Sequence, residues 1–364
     1  MHISEIDTPA LVVDLDIFER NLARVADYAR EHSLRLRPHT KTHKSVRLAK
    51  RQIASGAAGL TVAKVSEAEV MAAAEPDDLL VAYPIIGQTK LARLTQIARE
   101  TRVTVALDSA FAARQLSDAA RAAQVEIGVL AEVDAGLGRV GVAPGEPLLQ
   151  LARTIENLPH LRFAGITFYP GHIKGLDESG LRAMAQLSDL LRGILDDFRA
   201  AGIEVGIVSG GSTPTLFHSH EVHGVTEIRP GTYVFNDLNT IRSGACALED
   251  CAATILATVV STALPGQMII DGGSKTFSSD RLANSAEVTF GQVVEAPGAR
   301  FLKMNEEHGF VDLTHAEAEF SVGDRVRVIP NHICVAVNLH EKVYGLRGDT
   351  VEEVWSVDAR GKLQ

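Results

Sequence analysis

The chain is poor in cysteine: Cys246, Cys251 and Cys334 are its three in 364 residues. So few thiols, so widely scattered, exclude a disulfide framework and fit a reducing compartment. No run approaches the ~18 uninterrupted apolar residues of a membrane-spanning helix, and the N-terminus MHISEIDTPALVV has no basic segment leading into a long apolar one. The chain is therefore expected in the cytoplasm, without an anchor and with no membrane as partner. An excess of positive charge is also missing, since 36 Lys and Arg stand against 46 Asp and Glu, a net charge of -10. That balance excludes a general nucleic-acid binder, whose footprint is a basic face. A Walker lysine pattern is absent, which disfavours a nucleoside triphosphate. No internal period of about 20 to 50 residues and no low-complexity tract occurs.

What the chain does have is a 46% share of apolar residues, enough for a sizeable core. Its length suits one barrel of roughly 200 to 250 residues with a smaller companion. Up to about Thr240, short β-branched runs alternate with helical periods, the rhythm of a parallel sheet with crossover helices. The first helix is expected to start near Asp16, because Phe18, Leu22, Val25 and Ala29 share a face and Asp16 and Glu19 have capping-box spacing. Strands are expected at Leu34–Arg37, Gly59–Ala63, Leu79–Ala82, Arg102–Leu107, Val125–Val133, Leu161–Phe168, Glu204–Val208 and Thr226–Ile228. Eight such units predict an α/β fold of the (β/α)8 TIM-type barrel, in preference to a doubly wound open sheet. After about Ser243 strand-like runs dominate, at Ala253–Val260, Met268–Ile270, Glu287–Val294, Phe310–Leu313, Arg325–Ile329 and Val351–Trp355. They predict a C-terminal antiparallel β domain, against which the strand-like Ala10–Val13 packs. The expected domains are 15–242 for the barrel and 1–14 plus 243–364 for the β domain.

Catalytic groups of a barrel sit at the C-terminal ends of its strands, so unusual residues just past a predicted strand carry weight. Arg37-Pro38-His39-Thr40-Lys41-Thr42-His43-Lys44 puts lysines and histidines at the first of these ends. A Lys41 surrounded by His39, His43, Lys44 and Arg37 is expected to have a depressed pKa and to act as an amine nucleophile; a solvated basic loop reads the same way. Glu132-Val133-Asp134-Ala135-Gly136-Leu137-Gly138-Arg139-Val140-Gly141 holds one arginine between glycines, suited to an anion or a polar ring substituent. Phe168-Tyr169-Pro170-Gly171-His172 supplies an aromatic ring and an imidazole. Val208-Ser209-Gly210-Gly211-Ser212-Thr213-Pro214-Thr215, ahead of an expected helix start, has the make-up of a phosphate cradle. Arg229-Pro230-Gly231-Thr232-Tyr233 stands ready to complete it.

One cluster lies in the β domain, Pro330-Asn331-His332-Ile333-Cys334. In extended chain, residues i and i+2 face one way, so His332 and Cys334 can reach one divalent ion; a surface histidine beside a buried cysteine is the plain alternative. Glu306-Glu307-His308 offers further ligands or a polar turn.

An amine, a phosphate cradle on a barrel and a second β domain together point to pyridoxal phosphate. In the runs TPALVVDLD, RPHTKTHK, EVDAGLGRVGV, FYPGH, SGGSTPT, EIRPGTYVFND and GDRVRVIPNHIC, the chain resembles the D-threonine aldolase and D-serine dehydratase family of alanine-racemase-like enzymes nearly end to end. The resemblance implies pyridoxal 5'-phosphate as cofactor, with Lys41 as the lysine that binds it covalently. It places Arg139 and Tyr169 beside the ring, and Ser209, Gly210, Gly211, Ser212, Gly231, Thr232 and Tyr233 around the phosphate. It makes His332 and Cys334 the ligands of a divalent metal, manganese or zinc, with sulfur tilting towards zinc. It further implies a homodimer and a small D-amino acid as substrate. Aldol cleavage of D-3-hydroxy amino acids, with His172 as base, and dehydration of D-serine or 3-hydroxy-D-aspartate are the two reactions such a site serves.

Overall fold

The computed structural model describes every residue except Asn284, Ala286 and Glu287. It resolves into two compact units. One comprises Arg24–Lys41, Val46–Gly231 and Gly361–Gln364; the other comprises Met1–Ala23, Thr42–Ser45 and Thr232–Arg360. The strands are β1 (Ala10–Asp14), β2 (Arg35–Leu36), β3 (Leu60–Val62), β4 (Asp78–Val81), β5 (Arg102–Leu107), β6 (Ile127–Glu132), β7 (Leu161–Thr167), β8 (Ile207–Gly210) and β9 (Glu227–Ile228). They continue as β10 (Ala253–Ser261), β11 (Gln267–Ile270), β12 (Gly291–Val293), β13 (Arg300–Met304), β14 (Gly309–Asp312), β15 (Arg325–Pro330), β16 (Lys342–Arg347) and β17 (Thr350–Ser356).

The first unit holds the parallel sheet in the order β2-β9-β8-β7-β6-β5-β4-β3. His39 pairs with Thr61 just beyond β2, and the Thr61 amide donates to Pro38 O at 2.9 Å. This joins the β2 side of the sheet to β3, so the sheet closes as a barrel, not an open sheet. Crossover helices cover its outer face, and strands such as Leu79-Leu80-Val81 and Val129-Leu130-Ala131 are buried throughout, as a sheet covered on both faces requires. The seventh expected strand slides from Glu204–Val208 to Ile207–Gly210 because its register is set by Gly165: a Cβ there would lie 2.0 Å from Ile207 O. Beyond β8 the expected helix is only a short 3-10 turn, Leu216–Glu221. The helix Leu15–Glu31 buries Phe18, Leu22, Val25 and Ala29 as their spacing predicts. Its cap, however, is Asp14, whose Oδ1 accepts from Ile17 N at 3.0 Å, while Asp16 pairs with Arg347.

Inside the barrel Arg37 is fully buried. It donates from Nε to Glu227 Oε2 at 2.9 Å and from Nη1 to Asp78 Oδ1 at 2.7 Å. Burial pushes its pKa down, but the charges of Glu227 and Asp78 outweigh burial and raise it overall. Ser209 Oγ donates to Glu227 Oε1 at 2.6 Å, and Arg229 donates to Ser209 Oγ at 2.5 Å and to Phe168 O at 3.1 Å.

The second unit is a mainly antiparallel sheet ordered β13-β14-β11-β10-β1-β16-β17, with β15 paired to β10 and β12. The N-terminal β1 lies inside it, antiparallel to β10 and parallel to β16. Ile6, Ala10, Val12, Leu256 and Leu346 form its core there. β13 and β16 escape the sequence reading because charged ends and Gly345 interrupt their alternation. The expected strand Glu287–Val294 narrows to Gly291–Val293, and Glu287 lies outside the described residues. Among the described residues no helix is long and apolar enough to cross a membrane.

Removing one partner of a buried ion pair strands the other charge. Glu227→Ala is therefore expected to lower unfolding stability by about 3–5 kcal/mol in urea denaturation. Arg35→Ala, at the half-exposed and longer contact to Glu227 of 4.0 Å, should change it by no more than about 0.5 kcal/mol.

Candidate functional site

The barrel topology gathers the candidate clusters. Lys41, Gly231, Gly211 with Ser212, Tyr169 with His172, and Arg139 follow β2, β9, β8, β7 and β6, which are five consecutive strands of the ring. Their C-terminal ends share one rim. His39 N donates to Pro230 O at 2.9 Å and Lys41 N to His39 Nδ1 at 3.3 Å, which fixes the Lys41 backbone beside the Arg229–Gly231 segment. The Lys41 ammonium is 6.0 Å from the Tyr169 ring centroid, and the Arg139 guanidinium is 4.9 Å from the same ring. Two glycines make this packing possible. A Cβ on Gly171 would stand 2.3 Å from the Tyr169 ring, and one on Gly136 would stand 3.3 Å from His172 Cε1. His172 thus lies against the Asp134–Gly141 loop. In that loop Asp134 accepts from Gly138 and Gly136 amides, both at 3.0 Å, and these bonds hold its carboxyl below the usual range, with a smaller contribution from the charge of His172.

Two of the basic neighbours expected around Lys41 are engaged elsewhere. Arg37 is spent inside the barrel on Asp78 and Glu227, and Lys44 donates to Asn338 at 2.8 Å within the other unit. Alternating side chains of the strand end, together with a left-handed backbone at Lys44 (φ 50), send neighbours in sequence to different places. Ser209 is a second correction. Its hydroxyl is buried between Glu227 and Arg229, because strand alternation aims it into the barrel, so it has no side chain to offer a phosphate. Gly210 closes β8 and Gly211 begins the loop at φ +88, and a Cβ on Gly210 would meet the Phe168 ring at 2.1 Å. Ser212 Oγ stands 3.2 Å from Thr215 Oγ1. Gly231 ends the barrel segment. Thr232 and Tyr233 begin a 3-10 turn of the other unit, where Tyr233 is buried and Thr232 Oγ1 is 3.9 Å from Cys334 Sγ.

Two acidic residues, one in each unit, escape the sequence reading. Glu132 closes β6 and is buried, which raises its pKa against the opposing charges of Arg229 and Arg139. Its place at a strand end was a signal; its burial was not legible. The other is Asp237, in the second unit.

There, His332 and Cys334 are not extended chain. His332 is the N-cap of the helix Ile333–Leu339, and Cys334 lies in its first turn. Both residues therefore sit at a helix entry. His332 Nδ1 stands 2.9 Å from Asp237 Oδ2, and Thr42 Oγ1 is 3.2 Å from Cys334 Sγ. The charge at Cys334 first, opposed by burial and reinforced by Asp237, lifts the His332 imidazole to about 11. Nitrogen and sulfur donors backed by a carboxylate suit a borderline-soft divalent ion. Among the described residues no three His, Cys, Asp or Glu side chains form a group that could hold a metal. Glu307 pairs with Lys275 at 2.7 Å, in keeping with a polar turn at Glu306-Glu307-His308.

Overpacking at the loop should be measurable. Gly210→Ala drives a methyl into the buried Phe168 ring and is expected to cost about 1–3 kcal/mol, read as a lower urea midpoint.

The alanine racemase N-terminal domain family matches residues 13–238, and the putative serine dehydratase domain family matches residues 252–346. D-threonine aldolase of Arthrobacter sp. is 34% identical, covering 99% of this chain and 94% of its own. D-threo-3-hydroxyaspartate dehydratase of Delftia sp. (strain HT23) is 34% identical over 96% of this chain and 97% of its own. The crystal structure of D-threonine aldolase from Filomicrobium marinum superimposes with a TM-score of 0.92 at 33% identity, covering 99% of this chain and 98% of that one. Matched along its length in both sequence and fold, the chain belongs to the D-threonine aldolase and D-serine dehydratase family, lyases built on the alanine-racemase architecture.

Proposed function

We propose that the protein is a pyridoxal-phosphate- and divalent-metal-dependent D-threonine aldolase that cleaves D-3-hydroxy amino acids to glycine and an aldehyde. The observation that carries this reading is the gathering of an amine, a glycine loop, a tyrosine, an arginine and a histidine at five consecutive strand ends. The barrel, assigned to 15–242, would hold the cofactor, and the β domain, assigned to 1–14 plus 243–364, would hold the metal. A cytoplasmic homodimer is the expected assembly.

The donor set fits the cofactor. Lys41 would bind its aldehyde, Arg139 and Tyr169 would flank its ring, and Gly210, Gly211, Ser212, Gly231 and the Thr232–Tyr233 turn would receive its phosphate through backbone amides and the Ser212 hydroxyl. When bound, pyridoxal phosphate supplies an electron sink for charge left at Cα. His332 and Cys334 would hold manganese or zinc, which supplies a lower pKa to a coordinated hydroxyl. The chain's own contribution is proton traffic and orientation. His172 takes the proton of the substrate's 3-hydroxyl as the Cα–Cβ bond breaks, the hydroxyl oxygen becomes the aldehyde carbonyl, and Cα gains a proton to give glycine. Lys41, with its amine free, would be a second base.

That second base keeps a dehydratase reading alive, favoured by the sulfur donor of Cys334. In it Lys41 removes the Cα proton of D-serine or 3-hydroxy-D-aspartate and the hydroxyl departs, yielding a keto acid and ammonia after hydrolysis. Product analysis on D-threonine, with L-threonine as control, separates the two. Glycine with acetaldehyde from the D-isomer is expected; 2-oxobutyrate with ammonia would replace the aldolase reading by the dehydratase.

Lys41→Ala should abolish the yellow absorbance of the purified holoenzyme, and persistence of that colour would refute the cofactor assignment. His332→Ala should keep the colour and lose turnover; an unchanged rate would remove the metal from the reaction. His172→Ala should lower kcat by about 10²–10⁴-fold in steady-state assays.

A further inference from the structure

Asp237 is fully buried and both of its carboxylate oxygens are engaged. Oδ1 accepts from Thr240 N and Thr240 Oγ1, each at 2.8 Å, and so caps the short helix Leu238–Arg242. Oδ2 lies 2.9 Å from His332 Nδ1 and accepts from Ile333 N at 3.0 Å. The backbone that delivers this side chain is unusual. Asn236 is left-handed at φ 54 and is tied by its Nδ2 to Asp250 O at 3.0 Å, so the turn presents Asp237 in one orientation.

We propose that Asp237 is the positioning residue of the metal pair: one carboxylate fixes the His332 ring and the helix turn that carries Cys334. The inference rests on the metal reading above. An ionised carboxylate only accepts hydrogen bonds, so the hydrogen of a neutral His332 ring must sit on Nδ1. Nε2 is then left with its lone pair for a cation, the arrangement that a metal-ligating histidine needs. The second bond works on the backbone. His332 is an N-cap with no side-chain cap bond of its own, and Asp237 supplies the acceptor to the first helical amide, Ile333, instead. The next residue is Cys334. A single buried group therefore sets both the direction of the imidazole and the turn from which the sulfur projects.

Asp237→Asn is the isosteric test. With its oxygen kept on Thr240, its NH2 group would face the Ile333 amide and would donate to His332 Nδ1, moving the ring hydrogen to Nε2 and blocking coordination. Cobalt(II) binding to the cofactor-loaded protein, followed by calorimetry and by the sulfur-to-cobalt absorption band, should weaken by about 10–100-fold while the far-ultraviolet dichroism is retained. Thr240→Val removes a cap bond of the helix without touching His332, and its cobalt affinity should equal that of the wild type. Should Asp237→Asn fail to fold, Asp237→Ser takes its place: serine is a good N-cap for Thr240 but too short to reach His332, and the same loss is expected. Wild-type cobalt affinity in the Asp237 variant, or an equal loss in Thr240→Val, would overturn the positioning role and leave Asp237 a helix cap. A wild-type protein that binds no cobalt at all would overturn the metal reading and this inference with it.

Discussion

The barrel is organised around one buried cation. Arg37 has no access to water, and its guanidinium is held between the carboxylates of Asp78 and Glu227. A lone charge in that position would be prohibitively costly, so the strands that supply its partners must stay in register. Through Glu227 the constraint passes to Ser209, through Ser209 to Arg229, and through Arg229 to the Phe168 carbonyl. Strands β2, β4, β9, β8 and β7 are thereby linked by charge-assisted bonds inside the barrel that bears Lys41, Gly211 and Tyr169. The buried groups hold these strands in place, and the groups fit for chemistry stand further along the chain: Tyr169 one residue after Phe168, Gly211 two after Ser209 and Lys41 four after Arg37.

Small residues do the complementary work. Gly210 leaves room for Phe168, Gly171 for Tyr169 and Gly136 for His172. Each allows an aromatic or imidazole ring to lie against bare backbone, so ring positions at the rim are set by contact rather than by long flexible side chains. Tyr169, with Lys41 and Arg139 disposed about its ring, is the centre of this arrangement. In the second unit a carboxylate takes the role that the glycines have in the barrel. Asp237 holds the His332 ring and the entry of the helix that carries Cys334 together.

Much of this was legible in the sequence because it follows from period and composition. The alternation of apolar strand-like runs and amphipathic helices favours a (β/α)8 barrel over a doubly wound open sheet, and residues just past the strand ends of a barrel are on its rim by construction. The ordered motifs from Thr8 to Cys334 identify the family, whose relatives match end to end. What local pattern could not carry was the direction of individual side chains. Ser209 looked like part of a phosphate loop and is a strand residue facing inward. Arg37 and Lys44 looked like neighbours of the Lys41 ammonium, and alternation and a left-handed turn send them elsewhere. Asp14, not Asp16, caps the first helix, since the strand runs one residue further than its apolar run.

The sequence by itself determined the fold, the family and the chemical vocabulary, because hydrophobic period and motif order are properties of the chain read in one dimension. Only the tertiary structure decided which polar groups are spent on holding the scaffold and which are free for chemistry. That division depends on burial and on partners far apart in sequence: 190 positions between Arg37 and Glu227, and 95 between Asp237 and His332. A buried charge must find its counter-charge wherever the chain brings one, and no local pattern records where that is.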